Sequence, residues 1–336
     1  GSISLLENNY GIPSPELASV DQTQARYNLS GQLDQPMAGI ERIKVRTGYN
    51  DYKHKEIESS GEVATRFKNR ELETRAELLH APIAGVTGLF GVQFSAIGEQ
   101  AIVPITQSRS TGVFLVEERN WEKVRLEFGG RYEHAARNPQ NTADPSRGFD
   151  LFSGSTGASW NIIHDYQIGL TAIHGQRAPG IEELYVNGIH HGTATFQVGD
   201  QALRKEAHNN VDVSLRKTSG FMKWKINAFY NRFDHYIFYK SVDSNGDRRA
   251  DRVNHDGELT VDGEFLVQNL AQTDAVFYGA EAEVIFTLRP DSLDLRLFTD
   301  YVRAKLGQHN GNVPRVTPQR FGFELNYRSG PFSTNL

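Results

Sequence analysis

Cysteine is absent from the 336 residues, and disulfide frameworks, thiolate metal sites and cysteine nucleophiles are excluded with it. No apolar run approaches the roughly 20 residues that a membrane helix needs, so helical spans are excluded as well. Charge of one sign is also lacking. The 36 Lys and Arg stand against 41 Asp and Glu, a net −5 with no basic cluster, which argues against a nucleic-acid partner. G-x-S-x-G, H-E-x-x-H and P-loop patterns are missing and the carboxylates are dispersed, so no enzyme and no organic cofactor are expected. The chain opens at Gly1-Ser2 with no charged segment leading into an apolar stretch. A secretory leader has therefore been removed, or the chain is a fragment.

What the sequence does hold is 31 Gly, 13 Tyr and 19 Phe, a mixture suited to many strands, tight turns and aromatic girdles. A mean hydropathy of −0.51 resembles that of a water-soluble protein. A transmembrane β-barrel gives the same value, because its strands alternate lipid-facing and lumen-facing residues and the average hides both.

The alternation is plain. Ala25, Tyr27, Leu29 and Leu33 oppose Arg26, Asn28, Ser30 and Gln32; Ile43, Val45, Thr47 and Tyr49 oppose Lys44, Arg46 and Asn50. Leu72, Thr74, Ala76 and Leu78 oppose Glu71, Glu73, Arg75 and Glu77. Val124, Leu126, Phe128 and Tyr132 oppose Arg125, Glu127, Arg131 and Glu133. Later in the chain, Val211, Val213 and Leu215, and then Phe321, Phe323 and Leu325, repeat the pattern. With looser stretches near 86–100, 108–118, 149–162, 166–176, 221–240, 264–287 and 291–306, the count is about 14 to 15 strands, and the helix period fits nowhere for long. Tight turns at 34–38, 81–85 and 217–220 alternate with long polar connections at 137–148, 177–205 and 241–263. A water-soluble sandwich or solenoid accounts for any one strand, but it has no reason to alternate loop length. The expected fold is all-β, an antiparallel transmembrane barrel with a wet, charged lumen.

Residues 174–210 read HGQRAPGIEELYVNGIHHGTATFQVGDQALRKEAHNN. In Arg177-Ala178-Pro179, Glu183-Leu184-Tyr185, Gly188-Ile189-His190 and Glu206 with Asn210, this stretch resembles the TonB-dependent outer-membrane receptors, in particular the zinc-uptake branch. Gln197 and Asp200 depart from the Glu and Asn usual there. Further matches are Asn9-Tyr10-Gly11-Ile12-Pro13, the segment from Gly61 to Asn69, Phe277-Tyr278-Gly279-Ala280-Glu281, and Asp300-Tyr301-Val302-Arg303 followed by Pro314-Arg315. The resemblance implies that residues 1–336 are an interior portion of a barrel of about 22 strands, with the plug domain and the terminal strands outside this sequence. It also implies a place in the bacterial outer membrane with the long loops extracellular, contact with outer-membrane lipids, and the TonB energy-coupling complex as a partner through the plug. Import of a scarce nutrient, Zn²⁺, into the periplasm would be the function. Siderophore or haem iron uptake is the alternative within the class; a passive porin or an adhesin is the alternative outside it.

Among the 11 histidines, His190 and His191 stand out, because they share a long connection inside the most specific motif and zinc accepts imidazole readily. The resemblance adds Glu62 as an oxygen ligand, beside His54, Glu56 and Glu58. The expected metal set is therefore His190, His191, Glu62 and His54, completed by the plug. Asp243-Ser244-Asn245-Gly246-Asp247 with Asp251 has the oxygen spacing of a calcium loop. Arg248 stands where that loop needs Gly and Asn254 where it needs Glu, so a polar outer loop is expected instead.

Overall fold

Fourteen strands of ten residues or more form one antiparallel meander in the computed structural model, which describes residues 1–12, 18–100, 103–307 and 311–336. Pro13 of the opening motif and His309 lie outside the described residues. The long strands are β1 (Ser2–Gly11), β2 (Ser19–Met37), β3 (Ile40–Ile57), β4 (Val63–His80), β5 (Val86–Gln100), β6 (Thr106–Asn120), β7 (Val124–Pro139), β8 (Arg147–Ile163) and β9 (Tyr166–Arg177). The meander continues through β12 (Glu206–Lys217), β13 (Met222–Ser241), β15 (Phe265–Arg289), β16 (Leu293–Leu306) and β17 (Arg320–Ser329), and a short β18 (Phe332–Asn335) ends it. Each long strand pairs with the next, β9 with β12 and β13 with β15 included. Within the connections lie β10 (Asn187–His190), β11 (Thr195–Val198) and β14 (Arg252–Val253); β11 makes the one parallel pairing among the described residues, to β15.

Loop lengths sort by rim as the sequence suggested. One rim carries short turns, such as Ala38-Gly39 between β2 and β3 and His164-Asp165 between β8 and β9; the other carries the connections 178–205, 242–264 and 307–319. The first turn falls later than expected, because β2 runs on to Met37 with a bulge between Asp34 and Met37. At about 3.3 Å per residue, β3 is far longer than the 9–11 residues an oblique crossing takes. Its outer residues, counted from the short-turn rim, therefore stand clear of the hydrocarbon.

Side chains assigned to the apolar face are open on the outside: Leu29 is 64% exposed, Phe128 54% and Phe323 71%. Nothing protein-made covers them, as a lipid-facing surface requires. The opposite face is cross-linked by charge. Arg46 bonds Glu77, Arg75 bonds the same carboxylate, and Gln93 links Glu73 to Arg131, which pairs with Glu133. Phe114 lies between Arg75 and Arg131, 4.2 Å and 5.9 Å from their guanidinium carbons, over the bare Cα of Gly91. Among the described residues, the clusters of dry packing lie at the long-loop rim. One cluster joins Ala135, Phe149 and Leu151 of β7–β8 to Ile181, Leu184, Tyr185 and Leu203 of the β9–β12 connection.

Candidate metal centre at the long-loop rim

The β9–β12 connection is ordered by its own sequence. Gly180 opens a one-turn helix, α1 (Ile181–Tyr185), and donates its N–H to the Glu183 carboxylate at 2.7 Å. Ile181, Leu184 and Tyr185, spaced i, i+3, i+4, are all buried. This turn of helix was not expected from the sequence, although that spacing was present in it. Arg177 anchors the turn to the wall, donating to both Glu183 oxygens at 2.7 Å and 3.1 Å and to Glu206 Oε2 at 3.3 Å. The same Glu206 oxygen accepts the Ile237 N–H at 2.9 Å. The family-like R-A-P, E-L-Y and E-x-x-x-N segments thus meet in one ion network, with Glu206 buried and Arg177 partly open to solvent.

From this anchor the chain crosses to the opposite part of the wall. His190 ends β10, and its ring lies 6.3 Å from that of Phe67 on β4. Phe67 in turn stacks on His54 of β3, its cross-strand partner, at 4.1 Å. At Gly192 a Cβ would stand 3.3 Å from Glu56 Oε1 and 3.6 Å from His190 Nδ1, so carboxylate and imidazole flank one small gap that glycine leaves open. His54 Nδ1, Glu56 Oε2 and His190 Nδ1 are all buried and lack a hydrogen-bond partner. Glu56 is only 5% exposed. Burial first, and the neighbouring His190 second, hold the His54 imidazole below its ordinary range, so the ring is kept neutral, the form that donates a lone pair.

The four expected ligands are thus divided. His54 and His190 come together about Phe67. His191 turns the other way, its ring 6.3 Å from His255 and 5.4 Å from Phe265. Glu62 sits exposed in the β3–β4 turn, where its N–H donates to Ser60 Oγ at 3.2 Å. Glu56 is the acid beside His190. Strand parity carried the signal for it: His54 and Glu56 are i, i+2 on the face that bears Arg46, whereas Glu62 lies past the strand end. Among the described residues no three His, Asp or Glu side chains are already gathered at metal-holding spacing.

The calcium-like segment is self-satisfied, in keeping with a polar loop. Asp243 accepts the N–H groups of Gly246 and Arg248, Asp251 accepts that of Ser244, and Asp247 that of Arg249.

An apolar outer face, a charged inner face and loops graded by rim define an antiparallel membrane barrel. The chain belongs to the TonB dependent receptor-like, β-barrel family, which matches residues 5–336. The match is to the barrel family as a whole and does not single out a zinc branch. Among solved structures the chain is similar to the copper transporter OprC, with a TM-score of 0.78 at 14% identity over 95% of this chain and 52% of that one. It is also similar to a double mutant of the Serratia marcescens hemophore receptor HasR in complex with its hemophore HasA and heme (0.71, 12%, 97% and 59%). A third likeness is to the FrpB iron transporter from Neisseria meningitidis (F3-3 variant; 0.69, 10%, 94% and 49%). At these identities the likeness shows the fold, and the chain spans about half the length of each structure.

Proposed function

We propose that this chain is the larger part of the barrel of an outer-membrane receptor that imports a transition-metal cation, Zn²⁺, into the periplasm under TonB drive. The observation that carries the reading is that three buried polar atoms lack a partner, His54 Nδ1 and Glu56 Oε2 on β3 and His190 Nδ1 on β10, with β10 brought beside β3 by the fold through Phe67 and Gly192. Leaving such atoms unpaired costs about 1–3 kcal/mol each, a cost that a cation accepting their lone pairs removes. Two imidazoles and one carboxylate suit a borderline cation and leave one coordination position for water or for a plug side chain.

The names of the similar structures support metal uptake in general: one is called a copper transporter, one an iron transporter, and one is bound to a hemophore and heme. Copper is the second reading, because the same donors hold Cu²⁺ more tightly than Zn²⁺ by the usual affinity order. A porin and an adhesin make no use of the three donors, and a haem receptor would use an imidazole on its iron but not the Glu56 carboxylate. The outer edges of β1 and β18 have no partner strand among the described residues. In lipid each unpaired backbone group costs several kcal/mol, so we infer that further strands close the barrel. The long-loop rim then faces the exterior, where the cation arrives.

The test is metal content and zinc affinity of the whole receptor purified in detergent. Glu56→Gln and His190→Ala are each expected to weaken zinc binding by at least about tenfold. Zinc binding that both variants leave unchanged overturns the reading, and a site that stays filled with copper against a zinc excess replaces it by the second one.

A further inference from the structure

His190 and His191 are neighbours in sequence but serve different neighbourhoods. His190 belongs to the gap beside Glu56, whereas His191 opens a 3-10 turn and faces the β13–β15 connection. There its ring lies 6.3 Å from that of His255, tilted by 28°, and His255 Nε2 is 2.5 Å from Glu264 Oε2. Phe265, fully buried at the start of β15, meets both rings edge-on, at 5.4 Å from His191 and 5.1 Å from His255. It is a fixed wall against which the two imidazoles are set. The turn that carries His255 is fastened too, since the Asn254 side-chain oxygen accepts the N–H groups of Asp256 and Glu258 at 3.0 Å and 2.9 Å.

We infer that His191, His255 and Glu264 form a second transition-metal station, separate from the gap beside Glu56 and nearer to bulk solvent. Two imidazoles that bind one zinc through bonds of about 2.0–2.1 Å place their ring centres roughly 5 Å apart. The observed separation exceeds that by little more than an ångström. The adjustment falls on His255 and Glu264, whose side chains are 54% and 60% exposed, with the Phe265 ring guiding the turn of His255. The existing His255–Glu264 contact already places an anionic oxygen beside the ring, and water supplies the remaining position. The chemistry selects borderline cations over calcium or magnesium, which prefer all-oxygen sites. An exposed station beside a buried one gives an arriving cation a first foothold on the same segment that carries His190.

This inference rests on the reading above only in its choice of zinc as the probe. The experiment is a calorimetric titration of the whole receptor with Zn²⁺ alone, repeated with Co²⁺ and followed by its visible absorption. Two equivalents are expected, with His255→Ala and Glu264→Gln each removing the weaker and leaving the tighter, and Glu56→Gln removing the tighter alone. A single equivalent that survives His255→Ala, or two equivalents that survive both His255→Ala and Glu264→Gln, overturns the inference. If Glu56→Gln changes nothing while His255→Ala removes an equivalent, the second station stands and the proposal for the buried gap fails. Absence of any bound zinc or cobalt overturns both.

Discussion

Gly199 touches the backbone of Leu184: a Cβ at position 199 would stand 2.7 Å from the Leu184 carbonyl carbon and 2.8 Å from its oxygen. The Gly199 N–H donates to Val186 O at 2.7 Å, so the close approach is held by a hydrogen bond as well. Main chain meets main chain here, and no side-chain rotation relieves a clash. Gly199→Ala is therefore expected to displace α1 and the β10 segment behind it, at a cost of about 1–3 kcal/mol. Zinc affinity should fall with it. Gly31→Ala, whose Cβ would meet nothing within 4 Å, serves as the control. Thermal unfolding and zinc titration of the two variants decide; identical melting would show that the approach is not rigid.

Gly192 predicts the converse, a binding defect without a folding defect. Its missing side chain leaves the gap between Glu56 Oε1 and His190, and a Cβ there would stand 3.3 Å from each. Valine fills that gap with methyl groups while touching only the ends of two side chains. Gly192→Val should cost under about 1 kcal/mol in stability, as substitutions outside a packed core usually do. It should also weaken zinc binding by at least tenfold, on the order of 1.4 kcal/mol or more. Unfolding midpoint and metal affinity, measured on the same preparation, separate the two effects.

The wall of this barrel was legible in the sequence because lipid on one side and charge on the other impose a period of two on every crossing. Expected strands at 149–162 and 264–287 fall within two residues of β8 (Arg147–Ile163) and β15 (Phe265–Arg289). Two of the three candidate residues, His54 and His190, were legible too. The rest depends on where the β9–β12 connection goes after Arg177 and Glu183 anchor it, and no local pattern states that it crosses to β3 and β4. Family likeness points to Glu62, while parity on β3 puts Glu56 on the inner face with His54. The α1 turn escaped because a five-residue helix shows its period only once.

The Asp243–Asp251 segment should ignore calcium. Both Asp243 oxygens and one oxygen each of Asp247 and Asp251 are engaged by backbone N–H groups of the same loop. A calcium ion would have to break several of these bonds, and the loop lacks the Gly and bidentate Glu that normally repay that cost. Unfolding midpoints in millimolar Ca²⁺ and in chelator are expected to coincide; a calcium-dependent rise that Asp243→Asn abolishes would show that the self-bonded turn gives way to the ion.

Glu99 should make stability fall as pH rises. It stands one residue before the end of β5, beyond the crossing portion. Burial first, and the charge of Glu182 on α1 second, raise its carboxyl pKa above the ordinary 4.5, with Arg137 of β7 opposing them. The folded protein therefore holds the Glu99 proton more tightly than the unfolded chain does, and deprotonation penalises the folded state. That penalty is absent below 4.5, grows through the interval up to the raised value, and is constant above it. Glu99→Gln carries no charge to desolvate or repel, so it should be more stable than the parent near pH 8 and equal to it near pH 4, by linkage. Arg137→Met should widen the difference, because it removes the cation that opposes the rise in the Glu99 carboxyl pKa. Unfolding midpoints across this range test the assignment; parallel profiles for parent and Glu99→Gln would place the proton on another group.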